Sequence, residues 1–270
     1  MRTDDEDMIM SAAPVTISVV IPVKDDSAEL AVCLAALAAQ TRTADEIVVV
    51  DNASSDDSAA VAKAAGAVVV SCPEPGIPAA SATGYDASSG DLILRLDADC
   101  VPPATWIQEV LTAFEVRPEV AALTGAARFI DGPRLLRRPL AAAYLFAYTY
   151  CSLPALGHIP LFGSNLAMRQ QVWREVRENV HRDDPEIHDD MDLSFHIGER
   201  HRLGYLRGTP MGMSMRPFND AQAFRRRMDR GFRTITLHWP EEFPPYRWQR
   251  IREFRRSVPA VLEGAAHADA

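Results

Sequence analysis

Cysteine is scarce in this 270-residue chain, and the four that occur, Cys33, Cys72, Cys100 and Cys151, are irregularly spaced with no C-x-x-C pair. That excludes a disulfide-stapled scaffold. No apolar leader of secretory type follows the acidic start Asp4-Asp5-Glu6-Asp7, so a reducing cytoplasm is the expected compartment. No G-x-G-x-x-G follows the first β-branched run, Ile17–Val23, which argues against a nicotinamide dehydrogenase. Residues 17–30 also lack an early Gly-rich, Arg-containing phosphate loop, the element a sugar-phosphate nucleotidyltransferase would need. Between Pro139 and Met168 there is no Asp, Glu, Lys or Arg. That stretch is long enough to span a bilayer, but Pro154, Gly157, Pro160, Gly163 and many polar side chains would leave backbone groups unsatisfied in hydrocarbon.

Hydrophobic residues make up 47% of the chain, enough to bury a full core at this length. The net charge of −9 hides an asymmetry: residues 1–130 hold 7 Lys+Arg against 20 Asp+Glu, and residues 131–270 hold 21 against 17. Between Arg200 and Arg256 there are 14 arginines, 5 acids and no lysine, interleaved with Phe232, Trp239, Phe243, Tyr246, Trp248 and Phe254. Such a segment suits an anionic membrane surface, or it consists of solvated helix faces whose arginines pair with the acidic half or hold a substrate phosphate. The overall acidity opposes a nucleic-acid partner.

The first half alternates strand and helix signals. Ile17–Val23 is followed by an alanine-rich helix over Ala28–Gln40 with Ser27 as N-cap, then by the strand Glu46–Asp51, a polar loop and a helix to about Ala65. A short strand at Ala67–Val70, a helix over Pro78–Ser89 and a buried strand over Leu92–Leu96 complete the winding. Right-handed crossovers then open the strand ends bearing Lys24-Asp25, Asp51-Asn52 and Asp97-Ala98-Asp99 on one edge of the sheet, where open α/β sheets bind ligands. Asp97 and Asp99 can face one hard cation such as Mg²⁺ or Mn²⁺, which takes one or two protein carboxylates and leaves room for a substrate diphosphate. An ordinary acidic turn is the competing reading.

Four ordered segments carry a resemblance. Ser18–Asp25, Asp45–Asp57, Ser89–Asp99 and Gly163-Ser-Asn-Leu-Ala-Met-Arg169, with Asp189-Asp-Met-Asp-Leu193 further on, are similar to the family 2 glycosyltransferases of the GT-A fold over residues 16–215. The resemblance implies an α/β, Rossmann-like mixed sheet flanked by helices, and a metal-dependent inverting transfer of a hexose from a nucleoside-diphosphate sugar to a hydroxyl acceptor. By the same resemblance Pro22, Lys24 and Asp25 line the nucleotide pocket, Asp51 accepts a hydrogen bond from the base, and Asp97 contacts the ribose or a metal-bound water. Asp99 holds Mn²⁺ or Mg²⁺. Gly163, Ser164, Asn165 and Asp189 lie on the acceptor and sugar side, and Asp190 is the candidate general base, with Asp189 and Asp192 as close competitors. Three acids within four residues also predict at least one raised pKa through like-charge repulsion, while Asp189 and Asp190 equally suit the first turn of a helix.

The chain departs from the family pattern at two places. Ala80-Ser81-Ala82 stands where many relatives carry Ala-Arg-Asn with a phosphate-facing arginine, and Pro210–Met215 leads into Arg216 where many supply a metal-binding histidine. Arg95 or a C-terminal arginine is a candidate replacement for the first, and His188 or His238 for the second. The expected organisation is a disordered N-terminus at 1–14, a catalytic domain at 15–217 with a nucleotide-sugar half at 15–100 and an acceptor half at 101–217, a basic helical extension at 218–262, and a disordered tail at 263–270. The uncharged stretch reads as an amphipathic segment over the acceptor groove that would let a lipid-linked or cell-envelope acceptor enter from the inner face of the membrane, or as a core helix with a loop. Tyr246-Arg-Trp-Gln-Arg250 resembles the Gln-x-x-Arg-Trp element of processive polysaccharide synthases, but its order differs. A degenerate protein that binds nucleotide sugar without turnover is the other alternative.

Overall fold

A computed structural model describes residues 14–216 and 221–268. The expected disorder at 1–14 falls almost wholly outside these residues. Among the described residues seven strands form one mixed sheet: β1 (Ile17–Val23), β2 (Glu46–Asp51), β3 (Val68–Ser71), β4 (Leu92–Arg95), β5 (Val120–Phe129), β6 (Leu166–Arg169) and β7 (Arg202–Met213). Their order is β3-β2-β1-β4-β6-β5-β7. The first four run parallel, β6 is antiparallel to both β4 and β5, and β7 is parallel to β5.

The side-chain alternation of β1 explains why helices cover both faces. Ile17, Val19 and Ile21 face the core shared with α1 (Ser27–Ala38), α4 (Trp106–Glu115) and part of α5 (Arg137–Leu156), whereas Val20 joins Val48 and Val50 under α3 (Ile77–Ala87), α6 (Gln170–Val176) and α7 (Asp189–Arg200). Helix α3 lies so close to the sheet that a Cβ on Gly84 would come within 2.4 Å of Val20 and 2.8 Å of Val50. Helix α2 (Ser58–Ala64) covers the edge near β3. Ser27 is not the N-cap of α1. Asp26 occupies that position and makes no side-chain cap, and the Ser27 amide instead donates to Asp56 Oδ2 at 2.8 Å, so the neighbouring loop satisfies the helix start.

The uncharged stretch is the helix α5 followed by a loop, a 3-10 turn at Gly163–Asn165 and β6, so it enters the sheet. The C-terminal segment forms α8 (Ala221–Leu237) and α9 (Pro244–Ala268). Helix α9 continues past Leu262 through Gly264-Ala-Ala, because an alanine-rich run favours helix; residues 269 and 270 lie outside the described ones. Arg247 anchors α9. It is fully buried, donates to Leu156 O (2.7 Å), Phe195 O (2.9 Å) and His158 Nε2 (3.0 Å), pairs with Glu242, and lies over the Phe195 ring.

Candidate active site

A cleft of about 490 Å³ opens at the carboxyl ends of β1 and β4, lined among others by Pro22, Lys24, Arg95, Asp97, Asp99 and Asp190. Strand β4 ends at Arg95, and the chain then turns, with the Cys100 amide donating to Asp97 O at 3.0 Å. A backbone bridge from Val101 to Gly212 ties this turn to β7. The turn brings Asp97 and Asp99 to one place, where their carboxylate oxygens and Cys100 Sγ lie within 4.8 Å of one another. Asp97 is already compensated: Arg95 Nη2 is 2.9 Å from Oδ1 and Ser164 Oγ donates to Oδ2 at 2.5 Å. Asp99 is less so. Burial and the Asp97 charge push its carboxyl up to about 6, against the pull of Arg216 at 3.2 Å.

The opposite wall is the start of α7. Asp190 is buried and accepts three hydrogen bonds, which leaves one lone pair of Oδ2 free: Oδ2 accepts the Gly163 amide at 2.8 Å, and Oδ1 accepts the Tyr148 hydroxyl at 3.1 Å and His188 Nδ1. Burial would raise its carboxyl, but the His188 charge and hydrogen bond hold it below the usual range. For His188 burial is the largest influence and works against the charged ring, but the Asp190 charge and hydrogen bond, with the Asp189 charge, together raise its pKa. Asp189 accepts Ser81 Oγ at 2.9 Å and sits 3.5 Å from Arg95 Nη2; burial raises it, and the Asp190 charge adds to that. A raised carboxyl thus occurs at Asp189, caused first by burial and only then by like charge.

Arg95 links the two walls, bridging Asp97 and Asp189 from a nearly fully buried position. Gly163 explains itself here: a Cβ at that position would stand 1.2 Å from Arg95 Nη1. Of the other residues expected on the acceptor side, Ser164 lines the cleft, whereas Asn165 accepts Trp106 Nε1 at 2.9 Å and donates to Ala126 O at 3.0 Å, holding α4 and β5 together.

The nucleotide-side residues divide similarly. Lys24 lines the cleft, its Nζ 3.2 Å from Asn52 O. Asp25 has φ 51° and accepts the Ser55 amide at 2.6 Å, which lowers its pKa, and it is Asp26 that lines the cleft and grips Arg216 at 2.8 and 2.5 Å. Asp51 ends β2, where Oδ1 accepts the Ser54 amide at 3.0 Å in a local turn. Ala80-Ser81-Ala82 is buried on α3, and the cationic side of the cleft comes instead from Arg226, Arg227 and Arg230 of α8. His188 reaches Asp190, but His238 packs beside Asp192 and is not among the cleft-lining residues. Sequence reasoning missed Tyr148 and Ser81 altogether; the only signal was a tyrosine inside an uncharged run and a serine in place of the missing arginine.

The glycosyl transferase family 2 model matches residues 18–176, which is more than half the chain and stops short of α7. Over 100 residues the chain is 32% identical to the glycosyltransferase AglE of Haloferax volcanii, a stretch that covers 34% of this chain and 33% of that relative's length. The fold is similar to that of the mannosyltransferase PcManGT from Pyrobaculum calidifontis in complex with GDP-Man and Mn²⁺ (TM-score 0.64, 16% identity, 95% of this chain and 81% of that one). It is also similar to that of glucosyl-3-phosphoglycerate synthase from Mycobacterium tuberculosis in complex with Mn²⁺, uridine diphosphate and phosphoglyceric acid (TM-score 0.59, 20% identity, 83% of this chain and 78% of that one). The matched segment contains the β1, β2 and β4 strand ends on which the acidic turn is built, and the chain belongs to glycosyl transferase family 2, with the GT-A fold.

Proposed function

We propose that this cleft performs a metal-dependent, inverting transfer of a hexose from a nucleoside-diphosphate sugar to a hydroxyl acceptor. The observation that carries the reading is the convergence of Asp97 and Asp99 on one wall with Asp189 and Asp190 on the other, bridged by Arg95. The donor set fits a hard divalent ion such as Mn²⁺ or Mg²⁺: two half-buried carboxylates, one of them incompletely neutralised, beside a Cys100 thiol that burial keeps protonated. When bound, that ion neutralises charge developing on the leaving diphosphate. Lys24, Arg226 and Arg227 supply further positive charge in the cleft, in place of the arginine absent from α3. Pro22, Asp25 and Asp51 belong to the strand ends that receive the nucleotide.

In a single displacement, the acceptor oxygen bonds to the anomeric carbon as the carbon–oxygen bond to the diphosphate breaks, and the electron pair leaves with the diphosphate. Asp190 receives the acceptor's proton; Tyr148, His188 and the Gly163 amide orient its carboxylate. Asp189, Ser164 and Gly163 frame the sugar side. Calorimetric binding of UDP, GDP and dTDP, each with Mn²⁺ and with excess chelator and repeated on Asp99→Ala, tests the donor half. One nucleotide should bind tightly, needing both the ion and Asp99; no metal-dependent binding to any of the three would overturn the reading.

A lipid-linked acceptor at an anionic membrane surface is the acceptor class we favour. Helix α5 supplies Tyr144 to the cleft and also exposes Phe146 and Tyr150, stacked at 5.8 Å, while α8 exposes Phe232 and Met228 between arginines. No helix of the described residues is long and apolar enough to cross a membrane. Co-sedimentation with anionic liposomes at low salt is the expected result, and its absence would remove the lipid from the proposal while leaving the transfer untouched.

A further inference from the structure

The third aspartate of α7 faces away from the chemistry. Asp192 is 2% exposed, and its Oδ1 is met by His181 Nδ1 at 2.7 Å, His238 Nε2 at 3.2 Å and His196 Nε2 at 3.5 Å. All four ligand atoms lie within 4.8 Å of one another. His238 Nδ1 is 2.8 Å from Thr234 O, and a carbonyl can only accept, so that nitrogen carries the hydrogen and Nε2 turns a lone pair inward in the neutral ring. The Nε2 atoms of His196 and His238 are buried without a hydrogen-bond partner among the described residues. One carboxylate cannot neutralise three imidazolium rings, and a neutral His238, whose Nδ1 donates to Thr234 O, aims the Nε2 lone pair at a carboxylate oxygen; a cation at the centre removes both conflicts.

We infer that His181, Asp192, His196 and His238 form a closed structural site for a zinc-class divalent ion. Three imidazole nitrogens and one carboxylate oxygen are ligands that suit zinc, in contrast to the oxygen-only pair in the cleft. Tetrahedral ligands at zinc bonding distances stand about 3.3 Å apart, and the three separations from Asp192 bracket that value. The supporting shell is present: Thr234 O fixes His238, and the His181 backbone amide donates to Asp192 Oδ2 at 2.9 Å. Four protein ligands leave no open position, so the ion staples rather than catalyses. The ligands come from the loop before α7, from two positions one turn apart on α7, and from the residue after α8. The ion therefore ties the C-terminal helices to the helix whose first turn holds Asp189 and Asp190. His181, partly exposed, offers the entry path.

The test uses the full chain, dialysed against chelator and titrated with Co²⁺ followed by Zn²⁺. One Co²⁺ per chain should give the intense visible absorption of a tetrahedral site, bleached by one equivalent of Zn²⁺ and untouched by excess Mn²⁺. The band should persist in Asp99→Ala and vanish in the double variant His196→Gln/His238→Gln, and zinc should raise the unfolding midpoint of the parent chain and of Asp99→Ala but not of the double variant. His181→Ala, at the rim, should bind zinc at least about 10-fold more weakly even if the double variant does not fold. A parent chain without the tetrahedral band, or histidine variants that bind zinc as tightly as the parent, would overturn the assignment.

Discussion

Helix α7 sends carboxylates from one turn into two different surroundings. On the cleft side, Asp189 and Asp190 meet Arg95, His188, Tyr148 and the Gly163 amide, an arrangement that leaves charge available to a ligand entering from solvent. On the other side, Asp192 meets three imidazoles in a closed cluster, and six residues further along Gly198 lets His158 pack against the helix, where it accepts from Arg247. Histidine's role follows its partner. Beside a carboxylate the ring donates or ligates; beside a buried guanidinium it must stay neutral and accept. Both contacts pin the C-terminal helices to α7, so one helix serves as reaction wall and as anchor.

Replacement of the two aspartates should separate these roles most sharply. Asp190→Asn is expected to lower turnover on the order of 10³-fold with little change in nucleotide affinity, read by initial rates beside calorimetry; Asp192→Asn should instead lower the unfolding midpoint, and an equal loss of turnover from both, in folded protein, would break the comparison. Next in size, Arg247→Met should destabilise the fold by roughly 3–5 kcal/mol in denaturant titration, since it removes one of the two cations on Glu242, leaving only Arg250, and takes the guanidinium donor from two carbonyls and the His158 ring.

The anchor should also respond to acid. Burial, with Arg247 and Arg255 nearby, lowers the His158 pKa from 6.5 to about 4. The unfolded chain therefore binds the proton more readily, and stability that is complete above pH 6.5 is lost as pH falls toward 4, by up to roughly 3 kcal/mol. A pH series of denaturant midpoints in which His158→Gln abolishes this slope would confirm it; an unchanged slope would assign it to other groups. The smallest expected effect is that of Gly163→Ala, which should cost roughly 1–3 kcal/mol of stability by overpacking against Arg95 and weaken metal-dependent nucleotide binding by disturbing the Arg95–Asp97 pair.

Much of the nucleotide half was legible. The runs Ile17–Val23, Glu46–Asp51 and Leu92–Arg95 declare themselves because strands covered on both faces are continuously apolar, and their acids follow directly at the strand ends. Less could be read where partners are distant. Asn165 stands in the same motif as Gly163 and Ser164, yet its amide is spent on Trp106 and Ala126, and nothing local signals that. His238 looked like a spare ligand for the cleft, but the path of α8 carries it to Asp192 instead.

By itself the sequence determined the βα winding, the edge on which Asp97 and Asp99 emerge, and the helix that begins with Asp189-Asp190, since periodicity and local turn chemistry act over a few residues. Only the tertiary structure decided which charges meet. Arg95 reaches Asp189 across 94 positions of chain and joins it to Asp97, α8 brings its arginines to the cleft, and three histidines spread between positions 181 and 238 gather around one oxygen of Asp192. The reason is physical: a carboxylate's pKa, and an imidazole's choice between accepting, donating and ligating, depend on groups within a few ångströms, and which groups those are is settled by how the layers pack.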